Sequence, residues 1–282
     1  MSREATQPSG SVARTVSVVN QKGGVGKTTT VVNLGACLGA LGKRVLVIDA
    51  DPQGNATTGL GVTRGSLEAS LADVVLEGMP AGDAVVRTAT PNLWIVPSTI
   101  DLAPAEIRLV SVFSRERQLL RAVEALRGGY DYVLIDSPPS LGLLTVNCLV
   151  AAEGVIVPIQ CEYYALEGLT QLREVLDMVR AEANPSLRME GLLLTMFDSR
   201  VRISQEVAED VRRHFPGNVF RTVIPRNVRL SEAPSHGMPV ISYSPESRGA
   251  QAYTDLAREV LENEEKRSGT WVERPDTGGA AG

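Results

Sequence analysis

Residues 22 to 29 read Lys22-Gly23-Gly24-Val25-Gly26-Lys27-Thr28-Thr29, and no other stretch restricts the fold of this chain so strongly. Three glycines within four positions let the backbone turn tightly and aim successive N–H groups at one point, an arrangement suited to phosphate oxygens. The flanks agree with this. Thr15-Val16-Ser17-Val18-Val19 is a β-branched run that predicts a buried strand ending just before the loop. Thr28 to Leu41 carries Val31, Val32, Leu34, Leu38 and Leu41 at helical spacing, so the loop should open a helix whose positive end adds to the attraction for phosphate. In such a loop Lys27 bridges the β- and γ-phosphates and the Thr28 hydroxyl binds Mg²⁺, so Gly23 to Thr29 is the expected nucleotide cradle.

Two further strands end in carboxylates. Arg44 to Gly54 contains the apolar run Val45-Leu46-Val47-Ile48 followed by Asp49 and Asp51, and a strand continuing that far would point both carboxylates to one side. Tyr130 to Pro139 contains Val133-Leu134-Ile135 tipped by Asp136, the pattern of an aspartate that holds Mg²⁺ in nucleotide sites. Open α/β sheets bind ligands at the carboxyl ends of their strands, so Asp49, Asp51 and Asp136 are candidate metal ligands beside the loop, with Thr28. Each aspartate alone could equally cap a helix or stabilise a turn. Three at strand ends beside a phosphate loop favour the site.

The basic residues comprise 24 arginines and four lysines, and two of those lysines stand five positions apart, as Lys22 and Lys27. With Lys22 in its first position, the loop resembles the deviant Walker A motif of the ParA/MinD group of ATPases. The resemblance runs from about Val12 to Glu265. Asn20-Gln21, the segment Asp51-Pro52-Gln53-Gly54-Asn55-Ala56-Thr57 and the segment from Ile224 to Ser235 are similar to chromosomal ParA proteins of the Soj type.

The resemblance implies ATP and Mg²⁺ as cofactors and a homodimer with ATP sandwiched between subunits, Lys22 reaching the partner's nucleotide and Glu162 lying near the interface. Asp51 would position or polarise the attacking water, and Pro225 and Asn227 would lie beside the adenine. It further implies that the ATP-bound dimer binds double-stranded DNA nonspecifically and is released when a ParB-type partner stimulates slow hydrolysis. Arg200 and Arg229 match DNA-contacting positions, with Arg202 as a neighbour.

A net charge of −5 disfavours a generally basic surface, so DNA binding requires a local patch. Between Thr195 and Ala250 eight arginines face six acids, an excess small enough to be an ordinary salt-bridged surface on composition alone.

A content of 43% apolar residues supports a large core, and strand-like runs at Leu93 to Val96, Val155 to Ile159, Leu192 to Met196 and Val219 to Ile224 alternate with helical stretches. The expected architecture is α/β: a single doubly wound, mainly parallel sheet with helices on both faces, spanning 14–267 between flexible tails at 1–13 and 268–282. No run approaches the ~20 apolar residues of a membrane span, nor does a secretory leader stand at the start, so a cytoplasmic protein without membrane contact is expected, and the DNA binding that the resemblance implies adds association with the nucleoid. A MinD-like membrane regulator is the alternative, but Glu259, Glu262, Glu264 and Glu265 suit the last helical stretch poorly to an anionic bilayer. Cys37, Cys148 and Cys161 are too scattered for a disulfide framework or a zinc site, and they fall outside the cysteine motifs of nitrogenase-reductase-like iron–sulfur enzymes.

Overall fold

The computed structural model describes residues 12–162 and 167–269. Within it the strands are β1 (Arg14–Val18), β2 (Val45–Asp49), β3 (Val86–Arg87), β4 (Leu93–Val96), β5 (Tyr132–Asp136), β6 (Gly154–Gln160) and β7 (Arg188–Thr195). They form one sheet in the order β3-β4-β2-β5-β1-β6-β7, every pairing parallel except β3 with β4. The expected α/β sheet is therefore present.

Alternation along the central strands divides the core between the two faces of the sheet. Val45, Val47 and Leu134 join Val31, Leu34 and Leu38 of the first helix (Lys27–Ala40) and Tyr253 and Leu256 of the last helix (Arg248–Gly269). Leu46, Ile48, Val133 and Ile135 point the other way, packing with Leu71, Leu102, Leu119 and Leu144. With both faces covered, β2 and β5 are buried at every position, which is why they read as unbroken apolar runs. The register pairs Val18 with Asp136 and Asp136 with Asp49, so the three central strands end level.

The far end of the sheet is closed by charge. Glu190 is almost fully buried and receives the guanidinium groups of both Arg14 and Arg267, joining the first strand to the last helix. Removing one partner would leave a buried charge exposed to a low dielectric, so this cluster fixes the last helix against the sheet.

Several expectations need correction. Val219 to Ile224 is not a strand: it touches β7 through an isolated bridge from Val219 to Leu192 and through hydrogen bonds from Phe220 and Ile224. Between them the Arg221 and Thr222 N–H groups turn away to the carboxylate of Glu259, at 2.8 and 2.9 Å, so the ladder cannot continue. β2 stops at Asp49, which leaves Asp51 in a turn and not on the strand. Ala13, assigned to the flexible tail, is fully buried and donates its N–H to the Arg127 carbonyl. The rest of that tail up to residue 11, and residues 270–282, lie outside the described residues, as do Tyr163 and Tyr164 beside Glu162.

Candidate functional site

The phosphate loop leaves β1 at its carboxyl end and enters the first helix at Lys27. Gly24 and Gly26 adopt φ of 75° and 94°, a left-handed conformation that a side chain would strain. No side chain caps this helix, so its first-turn N–H groups remain available to an anion. Two distant residues hold the loop in shape. The Thr195 hydroxyl, at the end of β7, donates to the Val25 carbonyl at 2.9 Å, and Asn20 both accepts from the Lys22 N–H and donates to the Pro158 carbonyl.

The two lysines behave differently. Lys27 is buried, with its ammonium 3.2 Å from the Lys22 carbonyl. Burial pulls its pKa down, while the nearby charges of Asp136 and Asp51 oppose the fall. Lys22 is exposed, and its ammonium makes no hydrogen bond among the described residues.

Asp49 and Asp136 sit side by side at the ends of β2 and β5, both fully buried. Asp49 is well satisfied: its Oδ2 accepts from the Thr57 N–H at 2.8 Å and the Thr57 hydroxyl at 2.6 Å, and its Oδ1 accepts from the Asp51 N–H. Even so, burial raises its pKa to about 6, the Thr57 and Asp51 donors opposing and the charge of Asp51 adding. Neither oxygen of Asp136 has a hydrogen-bond partner among the described residues. Burial pushes its pKa well above the carboxylate range, reinforced by the charge of Asp49; Thr28 pulls the other way without a hydrogen bond that satisfies either oxygen. An orphaned carboxylate beside Thr28 and Lys27 is the environment a hard cation would complete, so the residues present fit Mg²⁺.

The three aspartates do not chelate as a set. Among the described residues no group of three His, Cys, Asp or Glu side chains is placed to hold a metal ion. That agrees with Mg²⁺ chemistry, in which one or two protein oxygens act together with phosphates and waters. Asp51 is 7% exposed and its Oδ1 accepts from the Gln53 N–H at 2.9 Å, which closes the turn on itself.

A bridge from Phe197 to Pro225 lays the 225–227 turn beside the loop after β7, and thus near Thr195 and the phosphate loop. Asn227 caps the short Val228–Glu232 helix, its Oδ1 accepting from the Arg229 N–H, while its Nδ2 makes no hydrogen bond among the described residues. Glu162 is exposed at the end of β6, with the Gln160 amide donating to it.

The bridge also joins the two segments that carry the candidate DNA-binding arginines, close enough for the charge of Arg226 to bear on Asp198. All three expected DNA contacts are exposed and each is paired: Arg200 with Asp198, Arg202 with Glu206 and Arg229 with Glu232. Thr57, Thr195 and Glu259 carry structural roles that no local pattern announces; Thr195, for one, lies 170 positions from its partner Val25.

A parallel sheet with a glycine loop between its first strand and a helix, an orphaned aspartate on the neighbouring strand and a buried loop lysine define a P-loop ATPase. The AAA domain family matches residues 13–189. Sporulation initiation inhibitor protein Soj of Bacillus subtilis is 54% identical over 89% of this chain and 100% of its own length. Chromosome partitioning protein ParA of Caulobacter vibrioides is 52% identical, covering 90% of this chain and 96% of its own. In structure, the chain resembles cobyrinic acid a,c-diamide synthase from Mycobacterium smegmatis with bound ATP analog and magnesium: TM-score 0.81, 40% identity, 91% of this chain and 97% of that one. The chain belongs to the ParA/Soj family of chromosome-partitioning ATPases. No helix among the described residues is long and apolar enough to cross a membrane.

Proposed function

We propose that this protein is a DNA-segregation ATPase that dimerises around ATP, binds duplex DNA without sequence preference in that state, and lets go when a ParB-type partner stimulates hydrolysis. The buried, unpaired Asp136 beside Lys27, on the same sheet edge as the exposed Lys22, is the observation that carries the nucleotide part of this reading. Membership of the partitioning family supports the rest.

In this reading Gly23 to Thr29 wraps the phosphates, with backbone N–H groups and the Lys27 ammonium opposing their charge. Thr28 and Asp136 would hold Mg²⁺, with Asp49 behind them fixing the Asp51 turn; the ion would neutralise charge on the β- and γ-phosphates. Asp51 orients the attacking water. Pro225 and the Nδ2 of Asn227 face the adenine, whose ring nitrogens are acceptors. Lys22 is withheld from its own subunit's carboxylates and is free to reach the nucleotide of the other subunit, with Glu162 at the rim of that interface. ATP therefore favours the dimer and ADP does not, which makes hydrolysis a timer for release. The cycle operates in the cytoplasm at the nucleoid.

Dimerisation doubles the arginine edge of Arg200, Arg202 and Arg229, so that a weak monomer contact becomes a useful, salt-dependent affinity. The deciding experiment measures binding to nonspecific duplex DNA, with sizing, in ATP, ADP and no nucleotide. Binding and dimer only with ATP are expected, and Arg200→Glu and Arg229→Glu should weaken binding to all sequences alike. DNA binding independent of nucleotide would overturn the cycle.

A further inference from the structure

Two of the exposed arginines proposed to touch DNA are each held by a carboxylate of this chain. Asp198 grips Arg200 by two parallel bonds, Nε to Oδ1 at 3.0 Å and Nη2 to Oδ2 at 2.8 Å, in the bidentate geometry a phosphate would otherwise take. The Asp198 carboxylate is itself held, since its Oδ1 also accepts the Arg200 N–H at 3.0 Å. On the neighbouring segment Glu232 takes Arg229 at 2.7 Å, and the Tyr243 hydroxyl donates to the same Glu232 oxygen at 3.2 Å. Each anchored carboxylate therefore competes for the guanidinium that DNA needs. Arg226, between them in sequence, makes no hydrogen bond to a carboxylate among the described residues, and its charge bears on Asp198.

We propose that Asp198 and Glu232 are built-in phosphate competitors which set the DNA affinity of this protein, so that DNA binds by exchanging phosphate for carboxylate at Arg200 and Arg229. The proposal rests on the DNA-binding reading above. An exposed ion pair contributes little to stability, so opening it costs the fold almost nothing. Its effect falls on binding: the pair must open before a phosphate can take the guanidinium, and the carboxylate left behind repels that phosphate. The edge is thereby kept weak enough for a dimer to let go of DNA once it dissociates.

The test uses the full chain with ATP and a nonspecific duplex, measuring affinity against salt for Asp198→Asn and Glu232→Gln. Both substitutions keep the side chain's length and one acceptor oxygen, and ATP-dependent sizing confirms that the dimer is intact. Each should tighten binding several-fold, while the slope of log affinity against log salt changes little, because the same arginine reaches a phosphate in both proteins. Glu124→Gln, an equal change in charge on the Gln118–Leu126 helix at an exposed carboxylate with no ion pair among the described residues, serves as control. A gain no larger than that of the control, or no gain, overturns the mask at that arginine. If binding is unchanged in these variants while Arg200→Glu and Arg229→Glu weaken it, masking fails and the DNA surface stands; if the Glu variants also leave binding unchanged, the DNA surface itself is misassigned.

Discussion

Asp49 and Asp136 are partners in the register of β2 and β5, both fully buried, yet Thr57 closes two hydrogen bonds on one oxygen of Asp49 while Asp136 has none on either of its own among the described residues. The two aspartates therefore divide the work, one shaping the site and the other left for a cation.

Asp136→Asn should separate folding from metal binding. In the ligand-free protein the change removes an unpaired buried carboxylate, so the melting temperature should stay level or rise. Wild type should gain about 2.7 kcal/mol from Mg-ATP at a hundredfold excess over Kd, and the variant should lose most of that gain. Melting with ATP, with and without Mg²⁺, is the check; an undiminished Mg²⁺-dependent gain would remove Asp136 from the metal site.

Thr57→Val tests the shaping role. The Thr57 hydroxyl donates to Asp49 and accepts the Ser98 N–H at 2.9 Å, and valine keeps the volume while deserting both buried groups. A loss of about 2–4 kcal/mol in urea unfolding is expected, from two buried groups each left a partner short. ATP affinity should fall with it, because the Asp51 turn hangs from Asp49. Stability within 0.5 kcal/mol of wild type, roughly the scale of a surface change, would contradict the assignment.

Lys22→Ala should leave the monomer untouched. Its side chain is exposed and makes no hydrogen bond among the described residues, so stability should change by no more than about 0.5 kcal/mol. The ATP-dependent dimer should be lost in sedimentation velocity, because the ammonium is needed only when the second subunit's phosphates face it. A variant that still dimerises on ATP would exclude the crossing lysine.

Glu259→Gln concerns the segment that fails to become a strand. Burial alone would raise the Glu259 pKa, but the Arg221 and Thr222 N–H groups outweigh it and hold the carboxyl below its ordinary range. A depressed pKa contributes stability that is present above the unfolded value of about 4.3 and disappears as pH falls through the folded value. The variant should be less stable by about 1–3 kcal/mol at neutral pH, and the gap to wild type should narrow on acidification below about 4.3. A gap that stays constant with pH would show that the carboxylate charge is not what holds the turn.

The fold was legible where one element decides its own fate. Val45 to Ile48 and Val133 to Ile135 had to be buried strands because apolar runs of that length covered on both faces admit little else, and the glycine loop announced itself through Gly24 and Gly26, whose left-handed φ no other residue adopts cheaply. Lys22, Lys27 and the strand-end aspartates could be named from the sequence because loop and strand ends are local patterns. Their division of labour could not. Whether Asp49 or Asp136 is satisfied depends on Thr57 being turned back onto β2, and the shape of the loop depends on Thr195 arriving from β7, both outcomes of packing between segments distant in the chain. Likewise Val219 to Ile224 has the composition of a strand, but two of its N–H groups are claimed by Glu259 on the last helix. Local periodicity reports which face of an element is apolar; only the tertiary structure decides which of several available partners each buried polar group obtains.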